Sequence, residues 1–215
     1  MAAGILAFAT APLDAQFFTD FSAGAAFSQP TTVTVEDESS GLFFTASADT
    51  DIETSFTFDF RFGGWIQGVP WLGVAGDFSY FQAEDGVFDQ NDIFPFSVLV
   101  LFRAPLLRTR EIPGGQLQPY FGVGPGAFFS NATVDLRPAV PSRVSTTGVD
   151  AGIDARAGLA WQFHPNLALF WEYRFTYFRQ ELEEGDDFCC DFPDERSEAD
   201  ILTHHVLMGI SFRFP

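Results

Sequence analysis

The sequence predicts an all-β fold, an eight-stranded antiparallel up-and-down transmembrane β-barrel, and three observations carry that expectation. The first is a two-faced alternation, recurring about eight times along the chain, that sets Phe, Val and Leu against Asp, Arg and Gly at every second position. The second is composition: 215 residues hold 28 Phe but two Met, and aromatic and β-branched residues on alternate positions favour strands over helices. The third is the rhythm of the connections, long and short in turn, as in barrels that cross an outer membrane. No run reaches the roughly 18 apolar residues of a membrane-spanning helix, whereas a closed sheet satisfies every backbone N–H and C=O without water.

The start of the chain, MAAGILAFATAPLDA, is an apolar stretch of signal-peptide length ending in small residues, although it lacks a basic beginning. Cleavage is expected after Ala15, because the Ala9–Ala11 site is followed by Pro12. The chain then divides into a leader, residues 1–15, and one barrel domain, residues 16–215.

The first strand is expected near Gln16 to Phe27, with Phe17, Phe21, Ala23 and Phe27 opposite Asp20, Ser22 and Gly24. The second, Glu53 to Trp65, is the clearest: Phe56, Phe58, Phe60 and Phe62 point one way, Thr57, Asp59, Arg61 and Gly63 the other. A turn around Gln67 to Pro70 leads to the third, Trp71 to Phe81, where Leu72, Val74, Phe78 and Tyr80 oppose Gly73, Ala75, Asp77 and Ser79. So short a connection demands an antiparallel neighbour.

Apart from Ser97 and Arg103, the fourth strand, Ile93 to Pro105, is apolar on both faces, and Leu99, Leu101 and, on the next strand, Phe128 face the polar side. The fifth, Pro119 to Asn131, sets Phe121, Val123 and Phe129 against Gly122, Gly124 and Gly126, small residues that leave room for bulky neighbours in a narrow barrel. In the sixth, Val149, Ile153, Leu159, Trp161 and Phe163 face away from Asp150, Asp154, Arg156 and Gln162. His164-Pro165-Asn166 reverses the chain into the seventh, with Leu167, Leu169, Trp171, Tyr173, Phe175 and Tyr177 against Glu172, Arg174 and Thr176. The eighth runs from Leu202 to Phe214. Long links fall near 28–52, 82–92, 131–147 and 180–200, short ones at 66–70, 105–117 and 164–166.

With the apolar faces outward, the inward charges at membrane depth are Asp20, Asp59, Asp77, Asp154 and Glu172 with Arg61, Arg103, Arg156, Arg174 and Arg213. Five acids and five arginines sum to zero. An eight-stranded barrel is only wide enough for its own side chains, and buried charge persists only when paired, so the interior reads as a salt-bridged plug. A soluble barrel of the lipocalin type would invert the faces, burying the Phe rows and exposing the charges.

The segments FDFRFGGWI, WLGVAGDFSYF, PYFGVGPGAFF, GIDARAGLAW, LALFWEYRFTYF and HHVLMGISFRF resemble, in their order and number, the small outer-membrane barrels of the outer-membrane protein A and opacity type. That resemblance spans nearly all of Gln16 to Phe214 and implies a bacterial outer membrane, both termini in the periplasm, and contact with outer-membrane lipid and lipopolysaccharide. It also implies that Gly209, Phe212 and Phe214 form the insertion signal read by the barrel-assembly machinery, here followed by an additional Pro215. A monomer is expected. Some barrels of this kind deacylate lipid A with a Ser two residues beyond a His; after His204 that position is Val206, so no enzyme and no catalytic residue are expected. His205 is expected near the outer rim, hydrogen-bonded or wet.

The last long link, QELEEGDDFCCDFPDERSEAD, holds ten acids and one Arg, half of the net charge of −18. A solvated loop is the plain expectation; the alternative is a divalent-cation site on carboxylates such as Asp186, Asp187 and Asp191, bridging to lipopolysaccharide phosphates. Cys189 and Cys190 are adjacent and are expected as a local disulfide or free thiols. GVGPG is no phosphate loop, because Pro125 interrupts it and no helix follows. Nothing in the pattern requires a cofactor. A pI near 4.2 and the absence of Lys argue against nucleic acid. Three functions stay open from sequence: a non-enzymatic surface barrel displaying acidic loops for surface interaction, adhesion or envelope integrity, a narrow transporter for small apolar solutes, and the soluble ligand-binding barrel with its faces inverted.

Overall fold

Because side chains alternate across an extended chain, an all-Phe face on residues 56–62 fixes the opposite face as polar, and a sheet of such strands must shelter the polar side. It does so by closing on itself. The computed structural model describes residues 16–29, 32–37, 42–47, 53–82, 90–135, 143–182 and 195–214. These form β1 (Gln16–Ser28), β2 (Thr32–Asp37), β3 (Leu42–Ser47), β4 (Glu53–Trp65), β5 (Leu72–Gln82), β6 (Gln90–Arg103), β7 (Leu117–Asp135), β8 (Arg143–His164), β9 (Leu167–Leu182) and β10 (Glu195–Phe214). Residues 1–15, and with them the expected leader, lie outside the described residues.

β1 pairs with β4 on one side and β10 on the other, and β4 to β10 pair in sequence, giving a closed eight-stranded antiparallel barrel. Asp20 stands opposite both Arg61 and Ser211 across the seam. β2 and β3 are additional. They form a hairpin inside the link read from sequence as residues 28–52, and Thr32 to Asp37 pair with Asp200 to Glu195 on the end of β10 that β1 leaves free.

At the opposite end, the short connections are true turns. Gly115, at φ 90°, adopts a backbone conformation closed to most residues, and a Cβ there would lie 2.5 Å from the Leu106 carbonyl oxygen. The links at the other end are shorter than the pattern suggested, since β8 reaches 22 residues and β10 reaches 20. At ~3.3 Å per residue and a tilt of ~40°, β8 covers about 55 Å of height, roughly twice the ~25 Å apolar band of such barrels.

Two prolines interrupt the wall where they sit inside strands and supply no N–H. The β5–β6 ladder passes from Phe78–Phe96 to Phe81–Ile93, skipping Pro95, and the β6–β7 ladder passes from Ser97–Gly126 to Val100–Val123, skipping Pro125.

The faces settle the orientation. Phe56, Phe58, Phe60 and Phe62 are all exposed, as are Phe17, Phe21, Phe78, Phe94, Phe121 and Phe129. Neighbours pack ring to ring across strands, Phe78 tilted against Phe96 at 4.6 Å and Phe102 stacked on Phe121 at 4.6 Å. Trp71, Trp161 and Trp171 also point outward near the short-turn end, as an interfacial aromatic girdle does. An apolar belt encircling the molecule is a surface for hydrocarbon, and the inverted, lipocalin-like arrangement is absent.

Candidate functional site

The lumen gathers the buried charges predicted from sequence, and parity alone puts them there. Asp20, Asp59, Arg61, Asp77, Arg103, Asp154, Arg156, Glu172, Arg174 and Arg213 are all buried.

Arg156, on β8, is the hub. Its Nη2 and Nη1 grip the Asp77 carboxylate of β5 across the lumen at 2.6 and 2.8 Å. Its Nε and Nη2 hold Asp154 at 3.0 and 2.8 Å, and Nη1 reaches Asp59 at 3.3 Å and Glu172 at 3.2 Å. Arg174, its neighbour in register, donates to Asp154 at 2.7 Å, Asp59 at 3.2 Å and the Ser79 hydroxyl at 2.6 Å. Arg61 joins Asp20 at 2.8 Å to Glu172 at 2.6 Å, and Tyr120 donates a third bond to Glu172 at 2.6 Å. Ser97 donates to Asp154, and Ser211 to Asp20. Bidentate, hydrogen-bonded contacts of this kind are what ion pairs need to offset desolvation.

Apolar layers close this charged layer at both ends. Toward the long links, Ala26, Phe81, Ile93, Phe128, Phe178 and Ile201 pack together, with Phe128 and Phe178 stacked at 4.4 Å. Toward the short turns lie Phe18, Trp65, Ala75, Leu99 and Leu101. Leu99, Leu101 and Phe128 therefore face inward as filler, and a Cβ on Gly122 would come within 2.5 Å of the Leu101 side chain. His205 corrects the sequence expectation: it is not wet at the rim but fully buried, edge-on to Phe81 at 4.7 Å, with Nε2 3.3 Å from the Thr176 hydroxyl. The wall runs on past it to Glu195, so the rim lies further out.

The ten charges sum to zero, and three arginines, Arg61, Arg156 and Arg174, take all five acids. Among the described residues Arg103 and Arg213 form no salt bridge. Arg103 lies over the Trp65 ring at 4.0 Å and donates to the Pro70 carbonyl, Gln16 and Gln118 at 2.7, 2.9 and 3.2 Å. Arg213 lies over Phe18 at 5.1 Å, and its Nε and Nη1 have no partner.

A closed barrel with a charged lumen and a phenylalanine exterior is a membrane-spanning one, and residues 1–214 match the family model described as outer membrane protein beta-barrel domain. The chain belongs to that family. Its fold is similar to that of neisserial surface protein A, at 14% identity and TM-score 0.53 over 92% of this chain and 97% of the other. It is also similar to the outer membrane protein OprG from Pseudomonas aeruginosa, at 10% identity and TM-score 0.57 over 92% and 95%. No curated protein sequence matches it. As an outer membrane protein beta-barrel domain, the chain is placed in a bacterial outer membrane.

Within this barrel domain, Phe212 and Phe214 are exposed on the outer face and Phe214 pairs with Phe17 at the seam. Gly209 has a packing reason of its own, since a Cβ there would stand 2.4 Å from the Phe21 carbonyl oxygen and 2.5 Å from the Phe170 ring. Asp186, Asp187, Asp191, Cys189 and Cys190 lie outside the described residues. Among the described residues no group of three or more His, Cys, Asp or Glu is arranged to hold a metal ion. Tyr120 and Trp65 join the site without a sequence expectation of their own, although each sits on the inward parity of its strand, the signal that would find them.

Proposed function

We propose that this chain is a non-enzymatic surface barrel of the outer-membrane protein A and opacity kind, anchored in the outer membrane and displaying its acidic links for adhesion, lipopolysaccharide contact or envelope integrity. The observation that supports this most is the closed lumen, a charged layer with packed apolar layers above and below. Such an interior holds the wall together and offers water no continuous path, which leaves the links to carry function. In this reading the monomeric barrel sits with both termini in the periplasm, and Gly209, Phe212 and Phe214 serve the assembly machinery.

Planar-bilayer conductance of the wild type, and of Arg61→Gln and Glu172→Gln, tests the closed lumen. Silence is expected from the wild type; steady conductance overturns the proposal in favour of a narrow transporter, whose path would pass the inward Leu99, Leu101 and Phe128. The acidic link is the expected point of surface contact, through Ca²⁺ or Mg²⁺ held by Asp186, Asp187 and Asp191 against lipopolysaccharide phosphates. Hydrogen exchange in residues 183–194 should slow on adding calcium with lipopolysaccharide; unchanged exchange removes this cation bridge.

A further inference from the structure

Charge in the lumen is segregated along the barrel. The central layer holds five carboxylates and three guanidinium groups, an excess of two negative charges, while Arg103 and Arg213 place two positive charges at the short-turn end. Those two arginines border one small void of ≈ 10 Å³, also lined by Phe18, Asp20, Arg61 and Trp65.

The polar atoms left without partners there are of a single kind. Arg213, only 5% exposed, has Nε and Nη1 unbonded, and the buried Trp65 indole Nε1 is unbonded as well. All three are donors. Unsatisfied buried donors each cost about 1–3 kcal/mol, more when charged, and such groups mark a missing water or ion. Asp20, the lone carboxylate on the lining, is already held by Arg61 at 2.8 Å and by Ser211, so Arg61 and Asp20 cancel and the lining retains the charge of Arg103 and Arg213.

We propose that this void is a binding site for a monoatomic anion, a halide, held by Arg213, Arg103 and the Trp65 indole. An anion accepts from every orphaned donor and offsets the excess positive charge, whereas a water molecule would leave that charge in place. The void has room for about one water-sized particle, which suits a single small ion.

The test uses the folded barrel in detergent. Crystals grown without halide and soaked in bromide are expected to show an anomalous peak between Arg103 and Arg213. The thermal midpoint is expected to rise saturably in chloride relative to gluconate at equal ionic strength. Arg213→Gln should weaken halide binding by about tenfold or more, the loss of a charged donor, while Arg108→Gln, on the exposed turn, should keep the wild-type response. An empty void or a water without anomalous signal overturns the proposal, as does a midpoint indifferent to the anion. If Arg213→Gln fails to fold, the wild-type bromide map decides alone.

Discussion

Arg156→Met removes the hub of the charged layer while keeping much of its packing volume. The change leaves Asp77 with Arg174 Nη2 at 4.0 Å as its remaining ion contact, where it had bonds of 2.6 and 2.8 Å. Asp154 keeps Arg174 at 2.7 Å and Glu172 keeps Arg61 at 2.6 Å, so one carboxylate, not four, is stranded. Breaking a buried pair by deleting one partner costs about 3–5 kcal/mol, and that is the expected fall in unfolding free energy. Urea unfolding in lipid vesicles, followed by tryptophan emission and by heat-modifiable gel mobility, measures it. Adding Asp77→Asn restores the layer to its original net charge and should recover about 1–3 kcal/mol, the coupling typical of contacting pairs. A loss below about 1 kcal/mol in the single variant, or no recovery in the double one, would refute the view that this layer is held by specific pairing.

Arg213→Met provides the contrast, because it deletes a cation with no ion partner: in halide-free buffer its cost should stay below about 1 kcal/mol by the same unfolding assay. Phe60→Arg, on the outward face beside Phe21 and Phe78 in register, should cost about 2–4 kcal/mol in vesicles if that face meets the hydrocarbon midplane; a change within about 0.5 kcal/mol, as on a wet surface, would count against lipid there. Gly209→Ala pushes a methyl toward the Phe21 carbonyl and the Phe170 ring and should cost about 1–3 kcal/mol, read from the urea midpoint; an unshifted midpoint would show that the backbone yields at no cost.

The wall was legible in the sequence because parity is a local property. Asp59, Arg61 and Asp77 reveal their side from their own neighbours, and so do the Phe rows. The β2–β3 hairpin is not legible, although Val33 and Val35 alternate with Thr32 and Thr34: six residues between polar stretches read as a link, and what pairs them is an edge of β10 more than 150 positions away. Pairing inside the lumen was equally hidden. Parity tells that Arg103 and Arg213 point inward, but which acids they meet depends on their depth along the barrel, and both sit below the carboxylates, against Trp65 and Phe18. The depth of His205 is hidden for the same reason, its side being clear from parity and its height not.

The seam between β1 and β10 has a kinetic consequence. Asp20 and Ser211, hydrogen-bonded across it, stand 191 positions apart, and Arg61 waits on Glu172, 111 positions later. Contacts of such sequence separation form late and slowly, after loop closure has been met. A chain lacking β9 and β10 would hold Arg61 without Glu172 and Asp20 without Ser211, so a partial barrel is expected to be less stable than the closed one. Closure of the barrel is thereby expected to be cooperative, with β10 acting as the latch.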